Sequence, residues 1–225
     1  MSANSTQQGE FWENSIAIQH QIVTCATCCD YSRGDRGSPQ PSWIGSRYEP
    51  GGVVFVLSNP AVAPRDWGST RDHRYAEKLD AFRSSPNTKS YGALVSEMHD
   101  QMQGLGPTGG EKWGMWSRVV RHCVAGCLTP AQFAWGNLCK HRTPGGSAKD
   151  RPPRTVELAH GLSHLRLELG ALRPRIVVAV GSVGAEVIES LSGTWELKKI
   201  RARGATIAEA HEVRDAIRSL GLCQR

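Results

Sequence analysis

Gly52-Val53-Val54-Phe55-Val56-Leu57-Ser58-Asn59-Pro60 is an apolar run that ends abruptly in short polar residues and a proline. Such a run reads as a fully buried strand of a parallel sheet, and Asn59-Pro60 is where the backbone must leave it. The carboxyl ends of strands line the ligand crevice in open α/β sheets, which sets Asn59 where chemistry usually happens. Taken alone, Asn-Pro reads better as the start of a turn, so the rest of the chain decides.

Two further runs share the pattern. Pro130-Ala131-Gln132-Phe133-Ala134-Trp135-Gly136-Asn137-Leu138 reads as a second buried strand ending in Asn137, and Ile176-Val177-Val178-Ala179-Val180-Gly181 as a third. Trp195 to Arg203 reads as a fourth, more amphipathic strand. Helices are expected over Phe11 to Thr24, Arg74 to Arg83, Ser90 to Met102, Ala185 to Leu191 and Thr206 to Leu220. Another follows Thr155 as N-cap, with Leu158, Leu162, Leu165 and Leu169 on one face. This alternation predicts an α/β fold, a three-layer domain with a short four-stranded parallel sheet flanked by helices. With 225 residues and no linker between similar halves, residues 1–225 read as a single domain, with 1–24 a peripheral N-terminal segment. Gly181-x-x-Gly184 is only a fragment of a dinucleotide fingerprint, and the Lys of a phosphate loop is absent, so neither nucleotide cofactor is expected.

The 27 Lys and Arg outweigh 21 Asp and Glu, and the formal charge of +6 favours an anionic partner such as nucleic acid. Two stretches carry that charge. Tyr31 to Gly52, with its basic part from Arg33 to Arg47, reads as a surface loop. Lys140 to Arg154, with Lys140, Arg142, Lys149 and Arg151, reads as an exposed cationic loop suited to phosphates. Met1 to Gln21 is polar and has no basic start, so it is neither a secretory signal nor a membrane span, and a cytoplasmic monomer is expected. The seven cysteines would then stay reduced, directed to metal binding or burial and not to a disulfide framework. Cys25-Ala26-Thr27-Cys28 is the usual first half of a four-ligand metal site, although a redox pair or two buried thiols explain it as well.

In this order of pieces, from Cys25 to about Leu191, the chain resembles the uracil-DNA glycosylase superfamily. Arg173-Pro174-Arg175-Ile176-Val177-Val178-Ala179-Val180-Gly181-Ser182 is similar to the corresponding string of its iron-sulfur branch. Leu57-Ser58-Asn59-Pro60-Ala61 is closest to the Gly-x-Asn-Pro-Gly form of the mismatch-specific and single-strand-selective branches, with Leu57 replacing the first glycine. The resemblance implies a monofunctional DNA glycosylase acting on a base flipped out of DNA. It implies Asn59 orienting water, and Asn137 reading the Watson-Crick edge of the base.

The departures shape the remaining expectations. The family's His-Pro-Ser-type motif is replaced by Arg201-Ala202-Arg203-Gly204-Ala205, so Arg203 is the candidate to assist catalysis, and His211 reads as structural. Arg71 falls where the family's base-stacking Phe stands, leaving Trp67, His73 or Tyr75 to substitute, with Ser58 beside them in the base pocket and Arg65 on the DNA backbone. A differently shaped pocket points away from plain uracil, and because one branch of the superfamily acts in prokaryotic defence on bulky modified bases of phage DNA, the resemblance implies a substrate such as glucosylated hydroxymethylcytosine. Uracil or mismatch repair is the alternative. Two other classes stay open: a nucleic-acid-binding module without catalysis, and a metal-stabilised interaction protein. In the iron-sulfur branch a second cysteine pair follows the base-reading strand. His141 occupies its first place and His160 lies within one residue of the second. The implied set Cys25, Cys28, His141 and His160 suits zinc better than an iron-sulfur cluster. Cys123 and Cys139 are rival ligands, and His164 sits one turn from His160.

Overall fold

The computed structural model describes residues 3–32, 39–58, 70–103, 119–141, 143, 152–191, 193–202 and 205–223. The chain begins with helices α1 (Ala3–Val23) and α2 (Ala26–Ser32), followed by strands β1 (Trp43–Ile44) and β2 (Val53–Leu57). Helices α3 (Thr70–Ser84), α4 (Thr88–Gln103) and the short α5 (Arg121–Val124) lead to a 3-10 turn and β3 (Phe133–Asn137). Then come α6 (Thr155–Leu172), β4 (Ile176–Val180), α7 (Ser182–Glu189), β5 (Glu196–Ile200) and α8 (Ile207–Ser219).

One five-stranded sheet has the order β1-β3-β2-β4-β5. The four expected strands are present and parallel. A fifth, β1, adds an antiparallel edge through Trp43 opposite Trp135 and Ile44 opposite Ala134. Val53 to Val56 and all of β4 are buried, as a strand covered on both faces must be. Because the chain runs from β2 to β3 on one side and then to β4 on the other, the strand order reverses at β2 and β4, the geometry that opens a crevice at their carboxyl ends. At the outer edge, β5 exposes Glu196 and Lys199, charges that discourage further strand pairing.

Two expected peripheral segments are built into the core. Phe11, Ile16, Ile22 and Val23 of α1 are buried, and Gln19 Oε1 accepts from Ser42 N at 2.7 Å. Residues 39–45, read as surface loop, are buried throughout. Their Gly, Ser and Pro content suggested solvent, but Trp43 stacks near Trp135 at 6.4 Å and Tyr91 Oη donates to Ser42 O. Gly45 presses so closely on the backbone of Ala131 that no side chain would fit. Thr155 opens α6 without being its N-cap, which is Arg154. No helix among the described residues is long and apolar enough to cross a membrane.

The cysteines depart from expectation. Cys127 and Cys223 form a disulfide that ties the segment after α5 to the end of α8 across 96 residues. The two half-cystines carry no local spacing signal, and packing of α5 against α8 brings them together. Cys25, Cys28, Cys29, Cys123 and Cys139 are not disulfide-bonded. Thiol titration of the unfolded protein should therefore find five free thiols before reduction and seven after it. Closing so long a loop should contribute about 2–4 kcal/mol, read as the loss in urea-unfolding free energy on adding reductant or in Cys223→Ser.

The start of α8 is capped by Thr206, whose Oγ1 accepts from Glu209 N at 3.2 Å while the Glu209 carboxylate accepts from Thr206 N at 2.6 Å. Arg201 Nε and Nη2 donate to the same carboxylate at 2.8 and 3.1 Å. The Arg201 hydrogen bond, followed by that from the Thr206 backbone, holds the Glu209 carboxyl down at about 2. A depressed carboxyl stabilises the fold above its unfolded value of roughly 4.3, and that contribution is lost as pH falls through the folded value. A carboxyl-carbon NMR titration should give Glu209 a midpoint near 2. An ordinary glutamate midpoint would show that the bonds from Arg201 and Thr206 to this carboxylate do not form.

Candidate functional site

Asn137 is the last residue of β3 and lies opposite Leu57, the last residue of β2. The pairing continues past both strands, with Leu138 N donating to Leu57 O at 2.7 Å and Cys139 N to Ser58 O at 2.8 Å. The chain before Asn59 and the chain after Asn137 are therefore held together by their own backbones. Asn137 is buried, and alternation along the strand sets it on the face of Phe133 and Trp135. Ser58 is half-buried beside it. Asn59, Arg65, Trp67, Arg142, Lys149, Arg151 and Arg203 lie outside the described residues.

Two expected site residues sit elsewhere. Tyr75 is buried with its ring 6.5 Å from that of Trp43, so it packs in the core two registers below Asn137 and does not present a free stacking surface. Lys140, expected on a phosphate, is 0 % exposed; its Nζ forms an ion pair with Glu168 of α6 and lies 3.4 Å from Ser42 Oγ. It stands first in a basic run, and nothing in the composition of that run marks its first cation as turned inward.

Behind this strand end lies a Cys/His cluster. Ligand atoms of Cys25, Cys28, His160 and His164 all lie within 4.8 Å of one another, with Cys25 Sγ 3.3 Å from His160 Nε2. The Cys-x-x-Cys is not on a loop: Cys25 precedes α2 and Cys28 sits in its first turn. α6 supplies both histidines, one turn apart, with ring centroids at 4.8 Å. His141 is not part of the cluster. Its Nε2 stands 3.6 Å from Glu157 Oε1 and its ring 4.9 Å from that of Tyr31. The i, i+4 spacing of His160 and His164 was the available signal for the fourth member of this cluster, because residues four apart share a helix face.

The donors fit a metal ion. Bonds of about 2.0–2.3 Å to a tetrahedral ion put ligand atoms roughly 3.3–3.8 Å apart, within small side-chain adjustments of the arrangement here. His164 Nε2 is buried with no hydrogen-bond partner, as expected of an atom that belongs to a ligand. Burial, then Lys140 and His160, hold the His164 imidazole down at about 4, so it is neutral and able to ligate near pH 7. Burial and the neighbouring Cys25 push the Cys28 thiol up, so metal binding there releases a proton. A cleft of about 850 Å³ lined by Phe11, Asn14, Tyr48, Pro50 and Arg173 lies at the other end of the sheet, where the strands begin, and shares no residue with this region.

No protein-family model matches the chain, and no curated protein matches it in sequence.

Cobalt(II) added to reduced protein should bind at one ion per chain and give thiolate-to-metal absorption. Cys28→Ser and His164→Ala should lose that signal, whereas His141→Ala should keep it. The reverse pattern would return the fourth position to His141.

Proposed function

We propose that the protein is a monofunctional DNA glycosylase, hydrolysing the N-glycosidic bond of a base flipped into the crevice at the carboxyl ends of β2 and β3. The observation that carries the reading is the pair of backbone bonds from Leu138 and Cys139 to Leu57 and Ser58, which hold Asn137 beside the segment leading to Asn59. The parallel order, which sets the carboxyl ends of β3, β2 and β4 side by side with a reversal next to β2, supports it in general form.

In this mechanism the Asn59 carboxamide oxygen accepts a hydrogen bond from a water and aims it at the anomeric carbon. The C–N bond breaks with its electron pair going to the base, the water oxygen bonds to the sugar carbon, and the water's proton is lost to solvent. Arg203 offers positive charge to the departing base. Asn137, with a donor and an acceptor on one amide, reads the base edge. A base without the matching pattern leaves a buried amide unpaired, which is costly and gives discrimination. Arg65, Arg142, Lys149 and Arg151 are the proposed phosphate contacts, with Lys140 removed from that set. Trp67 and Ser58 complete the base pocket, and a bulky modified cytosine is the favoured substrate.

Zinc is the proposed ion for Cys25, Cys28, His160 and His164. Two thiolates and two imidazoles make a closed four-ligand set with no position left for substrate, so the ion serves the fold and not the hydrolysis.

Incubation with duplex and single-stranded DNA carrying uracil, mismatched thymine or glucosylated hydroxymethylcytosine should yield alkali-labile abasic sites on one of them. Asn59→Ala should lower the single-turnover rate roughly 100-fold or more with little change in DNA affinity. DNA binding without abasic product on any substrate would replace the enzyme by a binding module.

A further inference from the structure

Lys140 and Glu168 are 0 % and 1 % exposed and form an ion pair inside the protein. Removing both charges from water is costly, and their attraction seldom returns more than that cost, so such a pair is a poor stabiliser. It does fix geometry. Lys140 is the third residue after Asn137, and its Nζ runs past Gly136, where a Cβ would overlap Ser42 Oγ and stand 3.7 Å from Nζ. Ser42 is itself pinned, its N–H bonded to Gln19 Oε1 at 2.7 Å and its carbonyl accepting from Tyr91 Oη at 2.5 Å. Gln40 N donates to Lys140 O at 2.6 Å, and Gly161 of α6 abuts the Leu138 carbonyl so closely that a side chain there would overlap it. The turn after Asn137 is thus gripped by β2 on one side and by α6 and residues 40–42 on the other.

We propose that the Lys140–Glu168 pair is a positioning device for base recognition: it clamps residues 138–141 so that the Asn137 carboxamide keeps one orientation in the crevice. The proposal rests on the glycosylase reading, and both residues act through Asn137 without touching the base. Glu168 lies one turn beyond His164, so the helix that carries the cluster histidines also carries the clamp.

The test is the double variant Lys140→Met/Glu168→Leu, which removes both charges together and leaves neither one buried alone. Retained thermal unfolding and metal content would show that it folds. Side-chain amide NMR of the full-length protein should give one sharp Asn137 pair in the parent and a broadened or multiple pair in the variant, with the β4 and β5 amides unmoved. Single-turnover excision should fall at least tenfold while duplex affinity stays within twofold. A folded variant with a sharp, unshifted Asn137 pair overturns the clamp, whatever its excision rate. A parent that excises no base overturns the glycosylase reading alone, because the Asn137 spectra still decide the clamp. If the double variant does not fold, Lys140→Met/Glu168→Gln removes both charges while keeping the shape of the Glu168 side chain, and the same two readouts apply.

Discussion

The double-sided hydrogen bonding of β2 is the constraint on which the rest of the structure depends. A strand buried on both faces has no water for its backbone, so each amide and carbonyl must find a partner in a neighbouring strand. β3 and β4 supply them along the whole of Val53 to Leu57. Parallel neighbours require crossover connections, and these bring helices to the sheet faces and collect the carboxyl ends of the four parallel strands on one side. The bonds that join Leu138 and Cys139 to Leu57 and Ser58 carry the same pairing one step further, into the loops where the chemistry is proposed.

Three of the parallel strands were legible as apolar runs bounded by turn residues and the fourth, β5, as a more amphipathic stretch, and all four stand where they were expected. β1 was not, because two residues cannot show a period and their neighbours are glycine, serine and proline; only Trp43, Ile44 and Tyr48 hinted at burial. The Cys/His cluster was three-quarters legible. Cys25, Cys28 and His160 do lie together, and His164 takes the place expected of His141 because helix α6 sets the azimuth of its side chains while sequence distance from a cysteine pair does not. Lys140 was misread for a related reason. A lysine in a basic run looks solvated until its partner, Glu168, 28 residues away, is brought beneath it.

α6 works as a ruler. His160, His164 and Glu168 recur every four residues along one stripe, and Gly161 beside that stripe lets the helix approach the turn after β3. About 12 Å of helix therefore separates the first histidine from the carboxylate that holds Lys140. Leu165, Leu169 and Leu172 seat the helix in the core, and α6 packs on α1 and α7.

The Cys127–Cys223 bridge gives the chain a covalent property that neither the sheet nor the helices supply. It turns β3, α6, β4, α7, β5 and α8 into one closed ring with an N-terminal branch. A protease cut anywhere between residues 128 and 222 would open that ring without releasing a fragment. The two pieces would migrate as one species until the bridge is reduced, and a cut beside Arg203 would pass unseen by any measurement of size made under oxidising conditions.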